Sequence, residues 1–563
     1  MKKIKFLALG FAALMMAACS SDDLAVADGG GTDVVGEGKA FVSLNIAIPS
    51  TGGSQGAMHK ANRANGYEDG SNNEFEVSDI SVLVFDHESG KLERVYSSLD
   101  HTLAEPNWTN PVNNQITSQA VLPAFAVEDS KEKDLFVLLN YTDLTQLKAI
   151  AHKDELDDMV LTKDVSVYSK DNNFLMCNAT LREFKEGNTE VKTLVTVQPY
   201  ETAQQAKENR KDIFVERLVS KVTLTNAQTD AWGGSTWTYT VPNAVLNGVD
   251  PSYAAGSKIT ILGWNLDITN KSSYLVRHFE GGWLSDGFKY IGDVNRFFEP
   301  SELTANYHRL NWAIDPNYDT TFDASDFNRV TSVADQENMG KAVYCYENTF
   351  DVANQKQDRT TRLLIKAQYQ PQGFGEGQSW FTIGASEQPR NGVDLTDIIK
   401  SALIKKMGEK TITVNTTNMS GINNYEGNVT INGNAISADQ IEYLKNEIGD
   451  VKAYQKGICY YVVRVKHFGD AETPWGANTN APEVGGTKYY KYTGAESTDA
   501  KYYLGRYGVV RNNWYQVSLN TISGPGTPMI PEPTAEIDDE HSYYISANVK
   551  ILSWKLRTQD VDL

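Results

Sequence analysis

Two glycine-rich stretches have the spacing of catalytic or phosphate-binding turns. Gly52 to Gly56 has the pattern of a serine nucleophile turn, with Ser54 at its centre and a strand pattern before it. No helix pattern follows, and the surrounding residues 50–73 lack groups that would hold a rigid turn. The second stretch, Gly373 to Gly377, lacks the helix on which a phosphate would sit. We therefore expect loops at both places and a protein that is not an enzyme.

The acidic spacing of residues 315–326 resembles that of a calcium-binding loop. Asp315, Asp319, Asp323 and Asp326 supply carboxylates, but Thr320 stands where such loops require glycine. A solvated acidic loop is therefore favoured over a calcium site. The eight histidines are scattered, and no pair of cysteines has zinc-binding spacing. We expect no metal and no other cofactor.

The start of the chain has the pattern of an export signal with a cysteine at its end. Two lysines precede the almost wholly apolar run 4–16, and the small residues Ala17 and Ala18 stand directly before Cys19. This resembles a bacterial lipoprotein signal, in which residues 1–18 are removed and Cys19 carries the lipid, including palmitate. The acidic residues after Cys19 resemble a surface-export tag. We expect an exported lipoprotein at the outer membrane surface.

Composition narrows the class of partner. The chain carries a net charge of −20 over 563 residues, so nucleic acid or an anionic bilayer would repel it. Hydrophobic content of 40% and aromatic content of 10% are typical of a folded protein. Beyond Cys19, the cysteines are Cys177, Cys345 and Cys459. This odd number favours buried free thiols over a disulfide, although one bridge stays open.

A strand pattern lies close to the start of the exported chain. Over residues 41–48, Val42, Leu44, Ile46 and Ile48 alternate on one face. The next residues, 50–73, carry few groups that pack, and they predict an exposed, protease-sensitive loop. This strand is therefore separated from the rest of the fold by a cleavable connection.

The remaining periodicity predicts a mostly β protein with a few short helices. Strands are expected at 80–85, 92–96, 135–139, 215–225 and 257–268, and helices within 143–162, at 394–407 and from Ser437, where Gln440 completes a capping box. Many short strands and few helices favour β-sandwiches.

The chain ends with a stiff spacer and a strongly strand-forming tail. Residues 523–533 contain four prolines, which fix φ and remove backbone donors. Residues 543–556 then alternate in two phases, and the apolar positions are Ile545, Ala547, Val549 and Ile551, followed by Leu552, Trp554 and Leu556. Such a tail can pair with its own domain or with another molecule.

Three segments carry a resemblance to a known family. Val509–Tyr515 (VVRNNWY), Val215–Val222 (VERLVSKV) and the ending LSWK…VDL over 552–563 resemble strands of Bacteroidales fimbrillins, the subunits of type V pili. The ending is most similar to the minor (short) fimbrium shaft subunit. The resemblance implies two tandem transthyretin-like β-sandwich domains. It also implies cleavage by an Arg-specific protease between Arg63 and Ala64, with Lys60 as a lesser site.

The resemblance and the patterns together predict a division of the chain. The expected parts are a signal peptide (1–18), a propeptide with the lipidated cysteine and a removable strand (19–63), an N-terminal β-sandwich (64–211), a C-terminal β-sandwich (212–522), a Pro/Gly-rich spacer (523–541) and a C-terminal donor strand (542–563).

The predicted function is a structural subunit of a cell-surface fimbrium that supports adhesion and biofilm formation. Cleavage would release the strand at 41–48, and the tail of a neighbouring copy would fill the vacated groove by strand addition. Expected partners are further copies in a head-to-tail polymer, other fimbrial subunits, the protease and, before cleavage, the outer membrane through the lipid. A fimbrial tip or anchor subunit and a glycan-binding surface lipoprotein remain alternatives.

Overall fold

The chain is mostly β, with many short strands and few helices. The computed structural model describes residues 34–35, 38–47, 74, 76–103, 108–109, 119–170, 173–183, 191–227, 229–233, 236–242, 254–284, 297–300, 307–318, 322–468, 483–484, 487–488, 504–536, 545–552 and 557–559. Four α-helices occur in these ranges, at Leu144–Ala149, Ala203–Glu208, Gly392–Met407 and Ala438–Ile448. No helix among the described residues is long and apolar enough to cross a membrane.

The N-terminal region is built on a nine-stranded sheet. In spatial order its strands are Leu92–Ser97, Ile80–Asp86, Lys133–Leu139, Met176–Asn178, Lys211–Arg217, Leu44–Ala47, Gln119–Val121 and Trp108–Thr109, with Val195–Val197 paired beside Lys133–Leu139. A three-stranded sheet of Val34–Val35, Ala124–Val127 and Ala40–Val42 contributes to the same core.

Apolar side chains cover both faces of the large sheet. Along Lys133–Leu139, Leu135 and Val137 join the core shared with the three-stranded sheet. Phe136 and Leu138 join a second core on the opposite face, under the helix Leu144–Ala149. The predicted strand at 135–139 is confirmed, and its burial on both faces explains its unbroken run of apolar residues.

The C-terminal region contains a second β-sandwich. One sheet has the order Ala342–Tyr346, Val219–Asn226, Trp514–Ile522, Ile545–Leu552 and Arg557–Gln559; the other has Thr238–Thr240, Lys258–Asp267, Arg362–Gln370 and Ile458–Arg464. Side chains from both sheets meet in one core that includes Trp232, Trp264 and Trp380. These tryptophans are structural, as expected for a sandwich core.

A small subdomain between Trp380 and Tyr454 carries the two longer helices. It combines Ser386–Arg390, Trp380–Ile383, Val451–Tyr454 and Gly421–Ile422 with Ile412–Val414, Val429–Ile431 and Asn434–Ala435. The helix Ala438–Ile448 begins with the predicted capping box, in which Ser437 N donates to Gln440 Oε1 at 2.9 Å. The apolar core of this subdomain includes Leu395, Ile399 and Leu444.

Shorter strands complete the described fold. A four-stranded sheet has the order Val191–Lys192, Leu181–Glu183, Tyr307–Leu310 and Phe298–Pro300; two-stranded pairs join Val160–Leu161 to Ser273–Tyr274, Ser169–Lys170 to Asn173–Phe174, Thr269–Asn270 to Phe327–Asn328, and Glu483–Val484 to Thr487–Lys488.

Cys177, Cys345 and Cys459 are buried free thiols, as the sequence analysis favoured. Burial raises the pKa of each thiol to about 12. These thiols are therefore protonated and inaccessible at neutral pH, which is typical of structural cysteines.

Asp315 does not lie in a solvated loop, and that prediction is wrong for this residue. Its side chain is buried, and Oδ2 accepts hydrogen bonds from Thr349 N at 2.6 Å and Asn270 Nδ2 at 3.2 Å. Further along, Asp323 caps a short 3-10 turn through Ser325 N at 2.8 Å. The buried carboxyl group of Asp315 thus positions its neighbours by accepting hydrogen bonds from Thr349 and Asn270. No group of three metal-ligating side chains forms among the described residues.

A buried histidine predicts how stability depends on pH. The Tyr515 hydroxyl accepts from Val510 N and lies 2.7 Å from His467 Nδ1, to which it can donate. Burial, with Arg277 and Arg309 nearby, lowers the pKa of His467 to about 3. The unfolded chain binds this proton near pH 6.5. The contribution of His467 to stability is therefore complete above pH 6.5 and is lost as the pH falls towards 3.

We expect His467 to lower the free energy of unfolding by up to about 1.4 kcal/mol for each unit that the pH falls between those limits. His467→Gln should flatten the acid limb of a denaturant-unfolding series between pH 6 and 4. An unchanged slope in that variant would show that His467 does not stay neutral in the folded protein.

Candidate functional site

The N-terminal segment, residues 40–47, is shared between two sheets. Its first half, Ala40–Val42, pairs antiparallel with Ala124–Val127, with Val42 opposite Phe125. Its second half, Leu44–Ala47, pairs with the three-residue strand Gln119–Val121 on one side and with Lys211–Arg217 on the other. At the crossing point, Ser43 Oγ donates to Leu122 O at 3.0 Å. The sequence predicted one continuous strand here; Ser43 divides it because the chain changes sheets.

The strand Lys211–Arg217, here called the floor strand, runs parallel to Leu44–Ala47. Lys211 lies opposite Leu44 and Phe214 lies opposite Ala47. The pairing with Gln119–Val121 is antiparallel, with Val121 opposite Asn45. Leu44–Ala47 therefore fills a gap between two strands and is not an outer edge of the large sheet.

The predicted removable side chains are core residues. Val42, Leu44 and Ile46 are exposed by 3%, 0% and 0%, and Ala40 is also fully buried. They contact one apolar core together with Phe125 and Ile213. Ile48 lies outside the described residues, as do Cys19, Arg63 and Ala64. Their predicted roles stay predictions.

Loss of the N-terminal segment would open both sheets at once. Its four buried apolar side chains would leave a groove in the core. The facing backbone groups of the floor strand and of Gln119–Val121 would lose their ladder partners. An open apolar groove lined by unpaired strands is a ready site for another strand.

A buried charge network anchors the far end of the floor strand. It consists of Glu216, Arg277, Arg309, Glu347 and Arg511. Glu216 Oε2 lies 2.9 Å from Arg309 Nε, and Glu216 Oε1 lies 3.6 Å from Arg277 Nη1. Arg277 also pairs with Glu347. Burial opposes ionisation of Glu347, but Arg277 and Arg511 outweigh it and lower the pKa of this carboxyl.

Residues near Trp514 contribute directly to this anchor. Arg511 N donates to Glu347 Oε2 at 2.9 Å, and Arg511 Nη1 and Nη2 donate to Leu275 O at 3.0 Å and Tyr274 O at 2.6 Å. Asn512 Oδ1 accepts from Arg217 Nη1 at 3.2 Å. Removing one partner of a buried ion pair typically costs about 3–5 kcal/mol. The floor strand is thus held by contacts that do not involve the N-terminal segment.

The C-terminal strand Ile545–Leu552, here called the tail strand, pairs antiparallel with Trp514–Ile522 of its own chain. Ile545 lies opposite Ile522 and Leu552 lies opposite Trp514. The predicted donor positions Ile545, Ala547, Val549, Ile551 and Leu552 all fall in this strand. Trp554 and Leu556 lie outside the described residues. The tail strand and the N-terminal segment pair with different sheets, so the structure does not bring the two predicted halves of the site together.

A comparison with protein-family models identifies the C-terminal part of the chain. Residues 484–560 match the family described as "Major fimbrial subunit protein type IV, Fimbrillin, C-terminal". The match covers the last part of the chain and does not extend to the N-terminal region. The matched range contains Trp514–Ile522 and the tail strand that pairs with it. No curated protein matches this chain.

Several solved structures are similar to this chain over most of its length. A fimbrilin from Porphyromonas gingivalis W83 is 12% identical, with a TM-score of 0.34, and 92% of this chain and 99% of that chain are covered. A candidate cell adhesion protein from Parabacteroides distasonis is also 12% identical, with a TM-score of 0.36 and the same two coverages. The C-terminally truncated tip fimbrial protein Mfa3 from P. gingivalis is 12% identical, with a TM-score of 0.30, covering 91% and 100%.

The charge network explains two motifs that the sequence analysis could use only as a resemblance. Val215–Val222 supplies Glu216 and Arg217, and Val509–Tyr515 supplies Arg511 and Asn512. The structure brings them into contact although they are nearly 300 residues apart. The available signal was the presence of charged residues within otherwise apolar strand patterns, because buried charges require partners.

Proposed function

We propose that this protein is a fimbrillin, a structural subunit of a cell-surface fimbrium, and that it polymerises by protease-triggered strand exchange. One observation carries the proposal: residues 40–47 supply buried core strands, and they precede the predicted cleavage site at Arg63–Ala64. Cleavage there would leave these core strands attached to the fold only by non-covalent contacts.

Export as a lipoprotein would come first. Lipid on Cys19 would hold the precursor at the outer membrane while the N-terminal segment keeps the groove filled. An Arg-specific protease would then cut after Arg63, and the propeptide 19–63 would leave with its lipid. Keeping the groove filled until cleavage would prevent premature assembly, because an open strand edge invites pairing.

The vacated groove is well suited to an incoming strand. The floor strand would supply parallel backbone partners, and Gln119–Val121 would supply antiparallel ones. The charge network would keep the floor strand in place, so little ordering would be needed on binding. Each large apolar side chain buried would contribute roughly 1.5–3 kcal/mol before ordering costs.

The tail strand is the proposed donor. In the monomer it pairs with Trp514–Ile522, and in a fibre it would enter the groove of the next subunit. Donor and acceptor lie at different sites on each copy, so the contact is heterologous and does not close into a ring. Assembly would therefore produce a filament, which would support adhesion and biofilm formation.

Crosslinking between marked subunits tests this proposal. We would place Val121→Cys, beside the groove, in one tagged chain and Ser546→Cys, in the tail strand, in a second chain of different size. Val121 is 43% exposed, and the three native thiols are buried with raised pKa values, so they should not react. Fibres of the mixture treated with a bis-maleimide should contain a product that joins the two sizes.

A matched control places the first cysteine at Val393, which is 69% exposed on the helix Gly392–Met407. This pair should give no mixed product. A double variant with Val121→Cys and Ser546→Cys in one chain reports on self-pairing. The proposal is wrong if fibres of the double variant contain only products within single chains.

A further inference from the structure

The proline-rich segment after Trp514–Ile522 is attached to the C-terminal sandwich. The sequence predicted a spacer over 523–541, and residues 523–536, here called the edge strap, lie against the protein. Tyr461 Oη donates to Gly524 O at 2.9 Å, and Tyr454 Oη donates to Gly526 O at 3.0 Å. Pro525 and Pro528 are buried. The first half of the edge strap is therefore docked by specific contacts.

Contacts continue to the end of the edge strap. Arg362 Nη2 donates to Pro531 O at 2.7 Å and also pairs with buried Asp267 at 2.7 Å, so its position is fixed. Gln357 N donates to Glu536 O at 2.9 Å. The attachment thus extends from Gly524 to Glu536.

The edge strap covers one edge of a sheet. The strand Ile458–Arg464 pairs with Arg362–Gln370 on one side. On its other side, Tyr460 and Thr527 exchange two backbone hydrogen bonds, of 2.8 and 2.9 Å. The prolines of the edge strap have no N–H to offer to a further strand. They close this edge without creating a new one.

Gly526 allows the close approach that these contacts need. A Cβ at this position would lie 2.2 Å from Tyr460 O and 2.8 Å from the Tyr460 carbonyl carbon. Both are backbone atoms of a sheet strand, which cannot move away without disturbing the ladder. Any side chain at 526 would therefore push the edge strap outward.

We propose that the edge strap stays bound to its own sandwich during assembly, so that the transferable tail begins after Glu536. This inference rests on the proposed strand exchange. It sets the reach of the tail, because an extended chain spans at most about 3.3–3.6 Å per residue. From Glu536 to Ile545 that limit is roughly 30 Å, whereas a free spacer from Ser523 would reach roughly 75 Å. The edge strap thereby limits the distance between consecutive subunits.

Hydrogen exchange of the monomer and the fibre tests this assignment. The amides of Thr527 and Tyr460 should be protected in the monomer and should stay equally protected in the fibre, while the exchange of 545–552 changes. Loss of protection at Thr527 on assembly would overturn the proposal. If no fibre forms, the proposed strand exchange is wrong. An unprotected Thr527 amide in the monomer would separately show that the edge strap is not docked.

Gly526→Ala supplies a variant that loosens the edge strap without changing the tail strand. We expect Thr527 to exchange about tenfold faster, which corresponds to a cost of about 1.4 kcal/mol from overpacking at this contact. Its fibres should show a more variable subunit spacing by electron microscopy. Gly375→Ala is the matched control, since the nearest atom to its Cβ is 3.6 Å away. Uniform fibres with a wild-type exchange rate from Gly526→Ala would contradict the proposal.

Discussion

Replacement of Arg63 by alanine, combined with Lys60→Ala, is expected to abolish fibres. The N-terminal segment would then stay covalently attached to its own sandwich. An attached strand has a very high effective concentration in its groove, so a tail from another subunit cannot compete with it. The cell surface should carry full-length, lipidated monomers, as measured by electron microscopy of surface material and by the N-terminal sequence of the protein.

Arg210→Ala is a suitable control for this double variant. Arg210 is an exposed arginine that directly precedes the floor strand. Its fibres should be normal, and their subunits should begin at Ala64. Fibres formed by the double variant would show that cleavage at this loop is not the trigger.

Val549→Pro is expected to abolish fibres at a later step. Val549 lies opposite Val517 in the middle of the tail strand. Proline removes the backbone donor and is not tolerated within a paired strand. Cleavage should proceed, so the shed protein should begin at Ala64 but should stay monomeric in size-exclusion chromatography.

Val549→Thr keeps the backbone N–H and a β-branched side chain, and it should still form fibres. The pair of variants therefore separates a requirement for strand pairing from a requirement for the side chain. Polymers of normal length from Val549→Pro would exclude the tail strand as the donor. Full-length protein from this variant would instead place the defect before cleavage.

Local patterns predicted much of the fold. The helix at Gly392–Met407 and the capping box at Ser437 follow from spacing and hydrogen-bonding chemistry within a few residues. The strand over 135–139 follows from its apolar run. The helix Ala203–Glu208 was not predicted, although Thr202 and Gln205 form a capping box. It is short, and Ala206 is its buried residue, so its apolar pattern is weak.

Long-range features of the site could not be predicted in this way. The change of sheet at Ser43 depends on the position of Leu122, and the edge strap depends on tyrosines and an arginine from distant strands. The contact between Arg217 and Asn512 joins residues that no local pattern relates. Composition predicted a stiff spacer at 523–533, but only the fold shows that this segment is docked and what its prolines cover.

The floor strand has a mechanical consequence for a fibre under tension. It is followed, after the single residue Leu218, by Val219–Asn226, which pairs in parallel with Trp514–Ile522. A pulling force that enters at the groove would pass along this continuous stretch of main chain into the sheet that precedes the tail. Load along strands shears many hydrogen bonds together instead of peeling them one by one. In the proposed fibre, flow over the cell surface would therefore load covalent bonds and whole hydrogen-bond ladders within each subunit.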